Sequence, residues 1–171
     1  MEQVKWFDRQ FDFTQQQNIF PSIIERLEGT PLRLAHKLEH VPEAVLTARL
    51  GNTWTIKENA GHLSDLETLW QGRFEDICNG LPELRPTDLL NTATTTAQHN
   101  ETPLPDLLQR FQTVRQQTLA LIKDIDTATI FKYALHPRLK TPMRTMDHFL
   151  FVAEHDDHHL ATISALLKAL K

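Results

Sequence analysis

Cysteine occurs once in the 171 residues, as Cys78. One thiol forms no internal disulfide and builds no multi-cysteine metal site, so a reducing compartment, the cytoplasm, is the expected location. Glycine is also scarce, 5 residues, and few segments alternate apolar with polar side chains as strands require. Long apolar runs are missing: no window approaches the roughly 18 uninterrupted apolar residues of a membrane span, so no membrane partner is expected. The opening residues MEQVKWFDRQFDF lack the basic-then-apolar layout of a signal peptide. Basic charge is not in surplus either, with 18 Lys plus Arg against 22 Asp plus Glu and a net charge of −4. That balance leaves no broad surface for phosphate neutralisation and argues against nucleic acid as a partner. An acidic small molecule would need a locally basic pocket. The 40% apolar content suits a single globular domain spanning 1–171.

Helical patterning dominates what is present. A first helix is expected from about Phe11 to Leu27, with Phe20, Ile23, Ile24 and Leu27 at helical spacing and Pro21 kinking or breaking it. Gly29 reads as its end. Thr30-Pro31 reads as a new start, Thr as N-cap and Pro at the first helical position, for a short helix closed by Pro42. Thr55-Ile56-Lys57-Glu58 has the form of a capping box and opens a long helix to about Cys78. From Gly80 to about Pro105 the chain is rich in Pro, Thr and Asn, a long connection that should cross the fold with one short helical piece. A further helix is expected from Pro105 to about Ile125. After a polar interval, Thr141-Pro142 should start the last one, running to about Leu170. The architecture this implies is all-α: an antiparallel four-helix bundle with a crossover connection and a short accessory helix.

The segment Glu154-His155-Asp156-Asp157-His158-His159 carries the strongest chemical signal. His155 and His159 are four apart, about 40° around a helix axis and about 6 Å along it, so both imidazoles can address one ion. They interrupt the apolar row Val152, Ile163, Leu166, Leu170. Asp156, Asp157 and His158 read as a solvated face. His155-Asp156-x-x-His159 has the spacing of the H-E-x-x-H zinc protease motif. Everything after His159 is LATISALLKALK, which offers no third ligand, so that reading fails. The third ligand must come from upstream, and His62, among Leu63, Leu66 and Leu69, is the best candidate. His36, His40, His99, His136 and His148 compete; His36 and His40, also four apart, suggest a second, weaker site. Three histidines leave a coordination position open, as in catalytic zinc sites. Asp65, Glu67, Glu154 and Asp156 lie near enough for acid–base work, yet nothing in the sequence commits one of them. Arg73 shares the broad side of its helix with His62; it reads as a boundary residue able to orient an anionic substrate. Cys78 reads as a small buried residue.

Trp54-Thr55-Ile56-Lys57-Glu58-Asn59-Ala60-Gly61-His62-Leu63, followed by Asp65, Glu67 and Trp70, resembles the central W-S-I-x-E-x-x-x-H-L segment of the DinB-like superfamily. The stretch from His136-Pro137 through Val152-Ala153-Glu154-His155-Asp156-Asp157-His158-His159-Leu160 resembles its closing motif. Thr55 replaces the usual Ser and keeps the cap. The resemblance spans roughly Ile19 to Leu170 and implies a bundle with a crossover, holding a divalent cofactor ion, zinc or nickel, on residues matching His62, His155 and His159. That superfamily includes thiol S-transferases, maleylpyruvate isomerases and stress-induced proteins. The expected function is a metal-dependent enzyme that activates a low-molecular-weight thiol towards an electrophilic small molecule. The alternatives are a hydrolase using metal-bound water, or a non-enzymatic metal-binding interaction protein. The broad apolar face of Leu66, Leu69, Trp70 and Phe74 suggests a homodimer.

Overall fold

A computed structural model describes residues 3–170; Met1, Glu2 and Lys171, the ends of the expected single domain, lie outside the described residues. The helices are α1 (Phe20–Leu38), α2 (Glu43–Leu46), α3 (Ile56–Asp65), α4 (Glu67–Cys78), α5 (Thr92–Thr96), α6 (Leu104–Ile122), α7 (Thr127–Phe131) and α8 (Thr145–Ala169). The strands β1 (Tyr133–Leu135) and β2 (Pro142–Arg144) form an antiparallel ribbon with Ala134 opposite Met143.

Four rods make the bundle: α1, α3 with α4, α6, and α8. The helix α1 packs on α6 and α8, and so does the α3–α4 rod, which places α1 and that rod on a diagonal. Arg26 pairs with Asp157 and Lys37 bonds Ser164, so α1 and α8 run in the same direction. Arg110 reaches Asp65 and Thr118 bonds Gln71, so α6 runs with the α3–α4 rod. Since α4 and α6 are successive and parallel, the chain between them must travel back the length of the bundle. Residues 79–103 do this as the expected crossover, with α5 as its short helical piece.

Sequence patterning and structure part company at three places, each for a local reason. The helix α1 does not break at Gly29-Thr30-Pro31. Proline removes the N–H that would bond the Leu27 carbonyl, and that carbonyl instead accepts Arg115 Nη1 at 3.3 Å. Thr30, rather than capping, donates its hydroxyl to the Arg26 carbonyl at 2.9 Å. Residues 9–19, before α1, are irregular rather than helical and are tied down by Arg144, which donates to the Phe13 and Gln15 carbonyls. At the other end, Thr141-Pro142 is not a helix start. Pairing with β1 buries Met143 and Ala134 in the core, and a proline at a strand end gives up no needed ladder bond. The helix α8 begins at Thr145, where the Asp147 carboxylate closes back on the Arg144 N–H at 3.0 Å.

The Thr55–Glu58 capping box forms as the sequence requires. The expected single helix from 55 to 78 is interrupted only at Leu66. The rod stays continuous there, because Leu66 N–H bonds the His62 carbonyl and its own carbonyl accepts Trp70 N–H.

Candidate metal centre

His62 lies in the last turn of α3, and His155 and His159 lie on consecutive turns of α8. One ring nitrogen from each falls within 4.8 Å of the others. All three side chains are buried. Among the described residues this is the one group of three or more His, Cys, Asp or Glu close enough to share an ion. The other histidines lie elsewhere. His36 and His40 are exposed beside Glu39, and His148 sits in the core with Nε2 donating to the Trp70 carbonyl at 2.9 Å. His99 holds Asp65, and His136 lines the cavity described below.

Hydrogen bonds set the tautomers of the cluster. The Thr94 hydroxyl donates to Asp65 Oδ2 at 2.9 Å, so its oxygen accepts from His62 Nδ1 at 2.8 Å. His62 therefore keeps a bare Nε2. Asn59 donates its amide N–H to the Thr55 carbonyl at 2.8 Å, which turns Oδ1 towards His159 Nδ1 at 2.9 Å. His159 Nε2 is bare for the same reason, and it faces His155 Nε2 at 3.2 Å. His155 Nδ1 is buried without a polar partner. Burial pushes His62 down to about 4, and burial and the neighbouring rings hold His155 and His159 well below the ordinary histidine range. At neutral pH all three rings are uncharged and present lone pairs, the state that binds a metal. Three convergent, neutral imidazoles with outer-shell partners on two of them fit a borderline divalent ion.

The crossover supplies part of that support. Thr94 lies in α5, and His99 follows it, donating from Nε2 to Asp65 Oδ2 at 2.8 Å. Burial would raise the Asp65 carboxyl, but the bonds from His99 and Thr94 outweigh it and hold the group ionised. His99 can reach Asp65 because Gly61 has no side chain: a Cβ there would stand 2.3 Å from the His99 ring.

A second buried network lies behind α8. Asp156, expected on a solvated face, is buried with Glu67, and Arg115 bridges both at 2.6 Å. Thr118 donates its hydroxyl to Glu67 Oε2. None of these acids faces the histidines. Helical periodicity does not reveal the burial of Asp156, because α8 is enclosed on nearly every side near its middle. Asp157 meets the expectation better, half-buried with Arg26 and Arg33. His158 is half-buried against Trp6.

The three histidines form one wall of a cavity of about 330 Å³, lined further by Trp6, Trp54, Trp70, Arg73, His136 and Phe151. Exposed Phe7 and Leu89 in the lining connect it to solvent. Trp54 stacks at 6.2 Å from His159 and lies 4.7 Å from His62. Trp6 and Trp70 flank His155 edge-on at 5.1 and 5.5 Å.

Residues 26–163 match the sequence pattern of the DinB superfamily. The chain belongs to that superfamily. Among solved structures it is similar to YfiT from Bacillus subtilis, described as a probable metal-dependent hydrolase with an unusual four-helix bundle topology. The two share 20% identity with a TM-score of 0.79, over 94% of this chain and 93% of YfiT. No curated protein matches the chain. The DinB-like four-helix bundle is thus established, and among the described residues no helix is long and apolar enough to cross a membrane.

Proposed function

We propose that this DinB-superfamily protein is a divalent-metal-dependent enzyme in which His62, His155 and His159 hold the ion, with zinc or nickel the best match to three imidazoles, and that it activates a small thiol towards an electrophilic small molecule. The observation that carries the reading is the convergence of three neutral histidines on the wall of an open cavity of substrate size. An ion held there would supply Lewis acidity, the chemistry that favours loss of a thiol proton to solvent at neutral pH without a protein base. That requirement matches the surroundings. Asp65, Glu67 and Asp156 are committed to Thr94, His99 and Arg115, and Glu154 pairs with Arg9 and Arg26. Asp88, the acid in the cavity lining, accepts the Leu90 and Thr92 backbone N–H groups.

The chain's own residues then divide the work. Thr94 and Asn59 orient two of the ligands. Trp6, Trp54, Trp70 and Phe151 exclude water from one side and offer apolar area to the substrate body. A hydrolytic reading, with water in the place of the thiol, draws support from the likeness to YfiT, which is a likeness of fold.

Elemental analysis of protein purified without a histidine tag tests the metal reading. Near-stoichiometric metal, lost in both His62→Ala and His155→Ala, is expected; metal that survives the His62 change overturns it. Metal-dependent turnover of electrophiles in the presence of thiols, against turnover of esters and amides in their absence, then separates S-transfer from hydrolysis.

A further inference from the structure

Arg73 is 1% exposed, lines the cavity and, among the described residues, makes no hydrogen bond or ion pair to an acid, Asp76 acting on it only at longer range. Its Nε donates to the Arg85 carbonyl at 3.0 Å, and its Nη2 is buried with no partner at all. The nearest carboxylate in sequence, Asp76, is spent on Arg85, which reaches it through Nε, Nη2 and its backbone N–H. A buried cation left unpaired is among the more costly arrangements a fold can hold, and it persists where something else compensates it. Stacking on Trp70, 5.7 Å away, and the more distant charge of Asp76 compensate only in part.

The neighbour of Arg73 sharpens the point. Its Nη1 lies 3.3 Å from His136 Nε2. His136 Nδ1 accepts the backbone N–H groups of Arg138 and Leu139, each at 3.1 Å. Burial and the flanking arginines hold this ring down at about 4, so it is neutral, and its one proton must sit on Nε2. The contact between Nη1 and Nε2 is therefore donor against donor and is not a hydrogen bond. Arg138 also lines the cavity, half-buried over the Phe7 ring at 5.2 Å, and among the described residues it has no carboxylate partner. Two guanidinium groups and a neutral imidazole N–H thus line the same cavity as a single acid, Asp88, whose carboxylate is taken by the Leu90 and Thr92 backbone N–H groups, and Arg73 Nη2 meets no protein acceptor.

We propose that Arg73, His136 and Arg138 form a carboxylate subsite, so that the substrate class is a small molecule with a carboxylate on an apolar body. Arg73 Nη1 and Nη2 have no protein acceptor; a guanidinium with both Nη groups unspent can match two carboxylate oxygens, and His136 Nε2–H adds a third donor. Trp70 links the two ends of the cavity: its ring lies beside Arg73 on one side and 5.5 Å from His155 on the other. A ligand anchored by its carboxylate would lay its apolar part along Trp70 and Phe151 and point its far end at the three histidines. This assignment rests on the reading of that cavity as a metal-dependent active site only for its statement about substrate; the subsite itself needs no ion.

The test is made on metal-free full-length protein, so that a carboxylate cannot report through the ion. Phenylacetate and phenylacetamide, the same body with and without the charge, are titrated while tryptophan fluorescence and proton–nitrogen NMR shifts are followed. At least tenfold tighter binding of phenylacetate is expected. Arg73→Met should abolish that preference while thermal stability stays level or rises, because an unpaired buried charge is gone; a purely structural arginine would lower stability instead. Arg138→Gln should weaken phenylacetate several-fold, and His62→Ala, which should prevent metal from binding when it is supplied separately, should leave the preference intact. Equal binding of the two probes, no binding of either, or a preference that survives Arg73→Met overturns the subsite. If Arg73→Met does not fold, the wild-type comparison and Arg138→Gln still decide. A subsite that holds while metal fails to bind overturns only the metal reading, and the converse overturns only the subsite.

Discussion

Thr94 Oγ1 stands 2.8 Å from His62 Nδ1 with its own proton committed to Asp65. One hydroxyl from the crossover thereby decides which nitrogen of an α3 histidine is free. Outer-shell partners of this kind usually change metal affinity by about 10–100-fold. Thr94→Val should therefore weaken zinc binding by about that factor with little change in melting temperature, and Thr94→Ser should restore it. Competition against a chelator of known affinity measures both variants.

The metal-free protein should lose stability as pH falls below neutral. His148 titrates near 3 and His62 and His136 near 4 in the folded chain, against about 6.5 when unfolded. Between those values the unfolded chain binds more protons than the folded one. The unfolding free energy therefore rises with pH through the window and declines as pH drops from about 6.5 towards 3. Thermal melts of metal-free protein from pH 7.5 to 4.5 should show a steep, monotonic fall in Tm. His148→Leu should flatten that slope while lowering Tm at pH 7.5, because the Trp70 carbonyl loses its donor.

Arg115 joins α4, α6 and α8 through Glu67 and Asp156, with all three side chains about 1% exposed. Its removal strands two carboxylates in the core. Arg115→Met alone should cost about 3–5 kcal/mol, whereas the triple change Arg115→Met, Glu67→Leu, Asp156→Leu should recover most of that loss. Denaturant unfolding of the two variants checks the contrast. A small effect of the single change would mean that water reaches the triad.

The two histidine turns and the capping box were legible because helical spacing and cap chemistry are local signals. His155 and His159 share a face by arithmetic, and His62 stood out as a polar residue in a leucine-rich run. The Thr94, Asn59 and His99 contacts were not legible, since they depend on where the crossover lands. Pro31 misled for a similar reason. A proline in a helix signals a break only if the freed carbonyl has no other donor, and the donor here, Arg115, comes from 88 residues further along. Helical spacing sets Arg73 on the side that carries His62, but its burial without a hydrogen-bonded acid follows from Asp76 being taken by Arg85, a contact between α4 and the crossover. Gly72 marks that contact, since a Cβ there would stand 2.1 Å from Arg85 Nη1.

Gly61 offers the sharpest test of how the crossover supports the histidines. In an exposed helix interior, replacing glycine by alanine stabilises by about 1 kcal/mol through backbone entropy alone. At this position the added Cβ would meet the His99 ring at 2.3 Å, and that ring holds Asp65, which in turn holds Thr94 and hence His62. The sign should therefore reverse: Gly61→Ala should destabilise by about 1–3 kcal/mol, the usual result of overpacking, and should weaken metal binding as Thr94→Val does. Adding His99→Ala to Gly61→Ala makes room for the methyl and should return part of the stability. It should not return the metal affinity, because Asp65 then lacks its His99 donor. Calorimetric melts and chelator competition on the three proteins read the two effects separately, and recovery of both together would show that the crossover supports the site by bulk alone.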